Sequence, residues 1–382
     1  MEKVYLDNAA STKVHNEVIS KMQGVLSDFY GNPSSTHSFG RSAKTLIEKA
    51  RKTIAKCINA SPSEIIFTSG GTEADNMILR SAVRDLGVQT IITSKTEHHA
   101  ILHTIEQLEK EYGLRVEYVS LDIHGSPEIA SLENKLKSDS TKKLVCLMHV
   151  NNEIGNLINI DEFVAVCKSN NAYFHTDAVQ SVGHFEWDVK KTKIDFLAAS
   201  AHKFHGPKGI GFAYIQKDIP MQPLIFGGEQ ERGFRAGTEP LHNIVGLEEA
   251  LLIATKNLNE DQEYVLGLKK YFIAELKKIM PDVKFNGHSS SNEKGTYTLV
   301  NVCLPISEEK SQLLLFQLDI KGIACSRGSA CQSGSFMTSH VLKEILNDED
   351  IKKPSLRFSF SKYNTKKELA YVITVLKEFL EE

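Results

Sequence analysis

Asp177 and Lys203 are the two side chains of this sequence best placed to do chemistry together. Each follows a short apolar run. Phe174-His175-Thr176-Asp177 ends on an acid, and Asp195–Ala199 leads into Ser200-Ala201-His202-Lys203. Alone, a lysine beyond a strand is a solvated surface group. A carboxylate at one strand end with an amine at the next suggests a carboxylate that keeps a ring nitrogen protonated and a lysine that condenses with a carbonyl. Pyridoxal phosphate sites work this way; a plain ion pair is the alternative. Gln180 follows Asp177 by three positions.

Three further segments carry chemistry. Thr68-Ser69-Gly70-Gly71-Thr72-Glu73-Ala74 passes from a strand through glycines into a helix start. There, backbone N–H groups favour an anion and glycine lets a phosphate approach. It is neither a Walker loop nor Gly-x-Gly-x-x-Gly, and many such turns only start helices. Glu97-His98-His99-Ala100 opens another helix. His99 and His103 have the spacing of a metal-binding pair, but the glutamate of His-Glu-x-x-His is missing. The other readings are a first-turn histidine or an imidazole stacked on a cofactor ring. Cys331 lies in Gly328–Ser335, a segment rich in small residues.

The elements that must position these groups follow from patterning. Candidate strands are Ile65–Thr68, Thr90–Thr93, Val116–Val119, Leu144–Val150, Tyr173–Thr176, Asp195–Ala199 and Ile210–Ile215. Helical patterns alternate with them at Glu73–Leu86, Glu97–Tyr112, Glu128–Lys137 and Asp161–Asn170. Such alternation implies an α/β fold, a mostly parallel sheet flanked by helices, with ligands gathered beyond the carboxyl ends of the strands. From Pro240 to Met280 runs one bent helix or two, faltering near Asn257-Leu258-Asn259. Tyr297–Leu304, Glu308–Leu318, a short strand ending near Cys325, Leu356–Phe360 and Lys366–Phe379 form a smaller α+β unit.

The 382 residues suggest two domains. A hydrophobic fraction of 41% with 24% charged residues is ordinary for a globular chain. A net charge of −3 argues against a protein that neutralises nucleic-acid phosphates. No apolar run approaches the ~20 residues of a membrane span, and the N-terminus lacks a signal-peptide core, so a soluble, cytoplasmic protein is expected. The six cysteines include no Cys-x-x-Cys pair, leaving little support for a four-thiolate zinc site. Cys57 and Cys146 read as buried, inert thiols.

Together these segments resemble the cysteine desulfurases of the NifS/IscS type, members of the class-V aminotransferases in the pyridoxal phosphate aminotransferase fold. The matching motifs run nearly end to end. They are Tyr5-Leu6-Asp7-Asn8-Ala9-Ala10, Gly31-Asn32-Pro33-Ser34-Ser35-Thr36-His37, the Ser69–Ala74 and Glu97–Ala100 segments, and Asn151-Asn152-Glu153-Ile154-Gly155. Asp177-Ala178-Val179-Gln180, Ser200-Ala201-His202-Lys203, Gly206-Pro207-Lys208-Gly209, Arg235-Ala236-Gly237-Thr238 and Gly328-Ser329-Ala330-Cys331 complete the set.

The resemblance implies a role for each matched residue. Lys203 would be the Schiff-base lysine, Asp177 the partner of the pyridine nitrogen, and His99 the ring-stacking acid/base group. Gln180 would bond the phenolic oxygen, while Thr72, Ser200, His202 and the Gly71 backbone would hold the phosphate. Thr238 would reach the phosphate of a neighbouring subunit in an obligate homodimer. Asn152 and Arg357 would receive the carboxylate of L-cysteine, because the planar guanidinium binds carboxylates bidentately. Cys331 would accept sulfur as a persulfide and pass it to an iron–sulfur scaffold or a tRNA-thiolation enzyme. No resident metal is implied, with Cys331 at most a transient ligand to an iron–sulfur cluster, and neither nucleic acid nor membrane is a direct partner. The implied large cofactor domain spans 15–257; 1–14 and 258–382 form the small domain.

The sequence departs from the family at several loop positions. Glu229 replaces a third glycine, and would be strained or force a remodelled loop if that position requires φ > 0. Ala236 replaces a common Ser, Ser361 a common Gly, and Met337-Thr338 a frequent Glu-Pro. Cys325 reads as a structural thiol or a second sulfur relay. The rivals are a plain aminotransferase, a selenocysteine-directed lyase, and a binding protein that has lost catalysis.

Overall fold

The computed structural model describes residues 3–306, 308–327 and 339–381, with the side chains of 308–312 and 381 excepted. In chain order the elements are β1 (Val4–Tyr5), α1 (Asn16–Asp28), α2 (Ser38–Cys57), β2 (Ile65–Thr68), α3 (Gly71–Leu86) and β3 (Thr90–Thr93). Next come α4 (His99–Tyr112), β4 (Arg115–Tyr118), α5 (Ile129–Leu136), β5 (Lys143–Cys146), α6 (Ile160–Ser169) and β6 (Tyr173–Asp177). They are followed by α7 (Val189–Thr192), β7 (Phe196–Ser200), β8 (Gly211–Ile215), α8 (Leu241–Lys256), α9 (Leu258–Ile279) and β9 (Lys284–Phe285). The chain continues through β10 (Leu299–Cys303), α10 (Glu308–Ile320), β11 (Ile323–Ala324), α11 (His340–Ile345), β12 (Ser355–Ser359) and α12 (Lys366–Glu381).

Seven strands form a mixed sheet in the order β2-β8-β7-β6-β5-β3-β4. The run from β7 to β4 is parallel, whereas β8 is antiparallel to both β7 and β2. Successive side chains of a strand point to opposite faces, and here both faces are buried. Leu197 and Ala199 join the core under α1, α2, α6 and α8, while Phe196 and Ala198 join the core under α3 and α4. Double burial explains why these strands are continuous apolar runs.

Taking the two faces of the large sheet together as one core, the second gathers β1, α9, β10, α10, β11, β12 and α12 around Phe272, Val300, Leu356, Phe358 and Leu376. Its sheet, β12-β10-β9, is antiparallel, and β1 pairs in parallel with β11. The Pro240–Met280 stretch is two helices that meet at Asn257. The strand expected over Leu144–Val150 stops at Cys146, because Met148 N–H turns to bond the Glu97 carboxylate at 2.9 Å. Cys146 is buried as expected, but Cys57 is only half-buried. Among the described residues, no helix is long and apolar enough to cross a membrane.

Glu229 has φ −85 and is unstrained, so the loop does not need a glycine there. Positive φ falls instead on Glu231 (47) and Arg232 (59), a region non-glycine residues seldom occupy. A buried ion pair holds that turn. Arg51 donates to Glu231 at 2.6 and 2.8 Å, and the same carboxylate accepts Phe67 N–H at 2.8 Å. Ser361 has no positive φ either; its N–H bonds Asn364 Oδ1 at 2.9 Å.

Candidate active site

The ends of β6 and β7 lie side by side, with Asp177 opposite Ala198 in register. Asp177 is therefore the last residue of its strand and Ser200 the last of the next, and Ala201–Lys203 form a short turn immediately beyond. Lys203 donates from Nζ to the backbone carbonyls of Ala9 and Ala10, at 2.8 and 2.9 Å. Gln180 Nε2 donates to the same Ala9 carbonyl at 2.9 Å. The Tyr5–Ala10 motif thus crosses from the small core to meet the lysine. His184 Nε2 bonds the Lys203 carbonyl at 2.9 Å and fixes the turn from behind.

Asp177 is buried, and burial pushes its carboxyl above the usual range, with His98 and Lys203 opposing the shift. A buried carboxylate gains most from a cation bonded directly to it, and a protonated pyridine nitrogen is such a cation. Two other acids lie in the same field. Glu97 is buried and raised by desolvation and Asp177, and Asp75 is raised by desolvation, Asp177 and Glu97. Asp75 meets His175 Nε2 at 3.0 Å inside the sheet, and burial lowers that histidine to about 3.

The first turn of α3 stands at the same end of the sheet and could hold an anion. A Cβ on Gly71, the first residue of α3, would strike Val179 Cγ2 at 2.4 Å and lie 3.9 Å from Ser200 Cβ. Only glycine fits between the helix N-terminus and these strand ends. Gly70, with φ 155, faces the same strand end, and Ser200 Oγ lies 3.5 Å from where its Cβ would stand. Thr72 is exposed, and His202 is half-buried with Nδ1 3.3 Å from Ser11 Oγ. Burial, with Lys203 and Lys208, lowers His202 to about 4, leaving it neutral. The fit to pyridoxal phosphate is therefore sound: an anion cradle, a buried acid and an amine stand at one end of the sheet.

His99 is the first residue of α4, whose N-cap is His98 accepting Ala100 N–H at 3.1 Å. The His99 ring stacks on His103 at 4.6 Å and meets His340 at 4.4 Å. Burial first, then His340, His103 and His98, lowers His99 to about 4. At neutral pH it is an uncharged imidazole. Thr238 is exposed on the loop before α8. Arg235, in that loop, bonds Glu73 of α3 at 2.8 Å.

Arg357, in β12, is fully buried. Nη1 donates to the Asn152 carbonyl at 2.7 Å and Nη2 to Asp7 Oδ1 at 2.9 Å, while Nε has no hydrogen-bond partner among the described residues. A buried donor without a partner is costly, and a carboxylate would satisfy it. Cys325 is half-buried beside this pair, and burial together with Asp7 pushes its thiol up to about 12. That suppresses its thiolate and favours the structural reading. Cys331 lies outside the described residues, as do Gly328–Ser335 and Met337-Thr338.

Sequence reasoning assigned no role to Asp7, Glu153, Ser339 or His340, which the structure places around the assigned residues. Asp7 and Glu153 stand inside matched motifs, but their side-chain partners Arg357 and Ser339 are 350 and 186 positions away, and no local spacing announces them.

Comparison with known proteins identifies the family. The aminotransferase class-V family matches residues 4–372. The cysteine desulfurase IscS of Dictyoglomus turgidum is 41% identical over 382 residues, spanning 100% of this chain and 95% of the relative. That of Methanosarcina thermophila is 42% identical over 382 residues, 99% of this chain and 92% of the relative. A solved NifS-like protein superposes with a TM-score of 0.90 at 35% identity, covering 100% of both chains. A structure described as SspA in complex with cysteine gives 0.80 at 32%, covering 95% of this chain and 100% of that one. A family match over residues 4–372, with relatives 41–42% identical over nearly the whole chain, means that this chain belongs to the class-V aminotransferase family of pyridoxal phosphate enzymes.

Proposed function

We propose that the protein is an L-cysteine desulfurase that converts cysteine to alanine and leaves the sulfur as a persulfide on Cys331. The observation that carries this reading is the convergence of Lys203, Asp177 and Arg357 where the two cores meet through the Tyr5–Ala10 segment. The relatives named for this activity, and the neighbour described with cysteine, support it.

When bound, pyridoxal phosphate supplies a carbonyl for the substrate amine and a ring that takes up electrons from Cα. In this reading Gly71, Thr72, Ser200 and His202 hold its phosphate, Gln180 bonds its phenolic oxygen, and His99 stacks on its ring. Asp177 keeps a proton on the ring nitrogen. Arg357 and Asn152 would hold the substrate carboxylate, which brings the amino acid to the end of the sheet where Lys203 stands. Lys203 Nζ, held in place by the Ala9 and Ala10 carbonyls, would take the Cα proton as the neutral amine and, as the ammonium so formed, return a proton to the product. Cys331 Sγ, as thiolate, attacks the substrate sulfur. The S–S bond forms as the Cβ–S bond breaks, and the carbon gains a proton to become the methyl of alanine. The division into 15–257 and 1–14 with 258–382, a homodimer completed through Thr238, a cytoplasmic setting and a sulfur-acceptor protein belong to the same proposal.

An assay of cysteine-dependent alanine tests it. Lys203→Ala should lower alanine formation by about 10²–10⁴-fold, the range for loss of a positioned proton-transfer group. Wild-type rates from that variant would show the lysine to be misassigned.

A further inference from the structure

β2 is the last strand on its side of the large sheet and pairs with β8 alone. The outward N–H and C=O groups of such an edge strand need other partners. Here two side chains supply them. Glu231 Oε2 accepts Phe67 N–H at 2.8 Å, and Arg51 Nη1 donates to the Ile65 carbonyl at 2.9 Å. The same two residues form a bidentate ion pair at 2.6 and 2.8 Å, and are 5% and 2% exposed. Taking both charges out of water is costly. Glu231 and Arg232 add left-handed backbone, with φ 47 and 59, and such strain persists only where the surroundings hold it. Arg232 is held too, donating to the Pro62 carbonyl at 3.0 Å and to Glu48 at 2.8 Å.

What this arrangement positions is the turn from β2 into α3. Phe67 is one residue before Thr68, whose hydroxyl donates to the Gly70 carbonyl at 2.9 Å. Ser69 N–H donates to Glu73 Oε2 at 2.7 Å, in the first turn of α3. Four residues after Glu231, Arg235 closes on Glu73 at 2.8 and 3.3 Å. One short loop therefore holds the Thr68–Glu73 turn at two points, Glu231 at the edge of β2 and Arg235 at the start of α3.

We propose that Arg51 and Glu231 are positioning residues for the phosphate end of the cofactor: their ion pair stands in for a missing strand beside β2 and anchors the loop that clamps the first turn of α3. This rests on the reading above that Gly71, Thr72 and their neighbours hold that phosphate. The pair acts through the backbone before the glycines, so the cofactor's ring and aldehyde should be held as before.

The test compares the loading of pyridoxal phosphate and of pyridoxal, which lacks the phosphate, onto the full-length protein stripped of cofactor, followed by visible absorbance. Glu231→Gln should weaken pyridoxal phosphate by at least about tenfold, the worth of one lost hydrogen bond to a charged group, and leave pyridoxal within about twofold of wild type. Arg51→Lys keeps a cation opposite Glu231 but loses the planar fork. It should show the same selective loss, and it carries the test should Glu231→Gln fail to fold. Wild-type loading of pyridoxal phosphate by these variants overturns the proposal. So does an equal loss of both ligands, which would mean that the pair only supports the fold. Thr72→Ala tests the cradle itself. If it loads pyridoxal phosphate as wild type does, the cradle reading falls and this proposal with it. A selective loss in Thr72→Ala alone leaves the cradle standing and removes only the proposal.

Discussion

Lys203 and Arg357 show how single residues become specific through backbone they did not choose. Lys203 needs an environment that keeps its amine in place yet lets it exchange protons, and two carbonyls from Ala9 and Ala10 provide one. Arg357 is pinned at two donors, and its Nε has no hydrogen-bond partner among the described residues. In the proposed reaction Cys331 carries the step that separates a desulfurase from an aminotransferase. Serine is nearly isosteric, but its hydroxyl is hardly ionised at neutral pH and is a weak nucleophile without a base. Cys331→Ser should therefore abolish sulfur release while cysteine still perturbs the cofactor's absorbance. Sulfide release at the wild-type rate would move the acceptor role to another thiol, with Cys325 tested next.

Among elements, α9 contains a residue that tests the packing directly. Lys269 is fully buried, donates to the Thr296 carbonyl at 2.6 Å, and is lowered by desolvation from 10.5 to about 8. The unfolded chain then binds more protons than the folded one between those two values, so this group makes stability rise with pH across that window. Below about 8 it is charged in both states and adds no slope. Wild type should gain on Lys269→Met between pH 8 and 10 by at most about 1.4 kcal/mol per unit, read from urea midpoints at each pH. Parallel pH profiles for the two proteins would show that Lys269 is not desolvated as described.

The same scale shows what the sequence makes legible. Ile65–Thr68 and Thr90–Thr93 match the structure residue for residue, because double burial turns each into an apolar run. The helix α2 precedes the alternation that the sequence shows. Its buried stripe, Ala43, Ile47, Ala50 and Ile54, has helical spacing but is half alanine, a weak hydrophobic signal. Glu229 looks strained by analogy with a glycine, whereas the turn puts its strain two residues later, where Arg51 and Glu231 hold it. The positions of Asp177, Ser200 and Lys203 at neighbouring strand ends follow from patterning. The Ser339–Glu153 bond does not, since it joins residues 186 positions apart.

For the whole molecule, the two cores meet along the Tyr5–Ala10 segment, and the cofactor end of the sheet opens toward that seam. The proposed second subunit is a matter of the same geometry. Thr238 is exposed in its own chain, and a partner's cofactor phosphate would give it a function. The protein should sediment as a dimer under assay conditions, and Thr238→Ala should weaken cofactor retention without dissociating it. A fully active monomer would rule the shared site out.

The central claim is that sulfur leaves cysteine and rests on Cys331. Its most direct test is a single turnover with cysteine carrying a heavy sulfur isotope, followed by mass spectrometry of the alkylated Cys331 peptide. The account predicts one added sulfur atom, bearing the heavy isotope, on that peptide, in step with alanine formed. Alanine produced with the Cys331 peptide unmodified, and the label on another cysteine or released directly as sulfide, would contradict it.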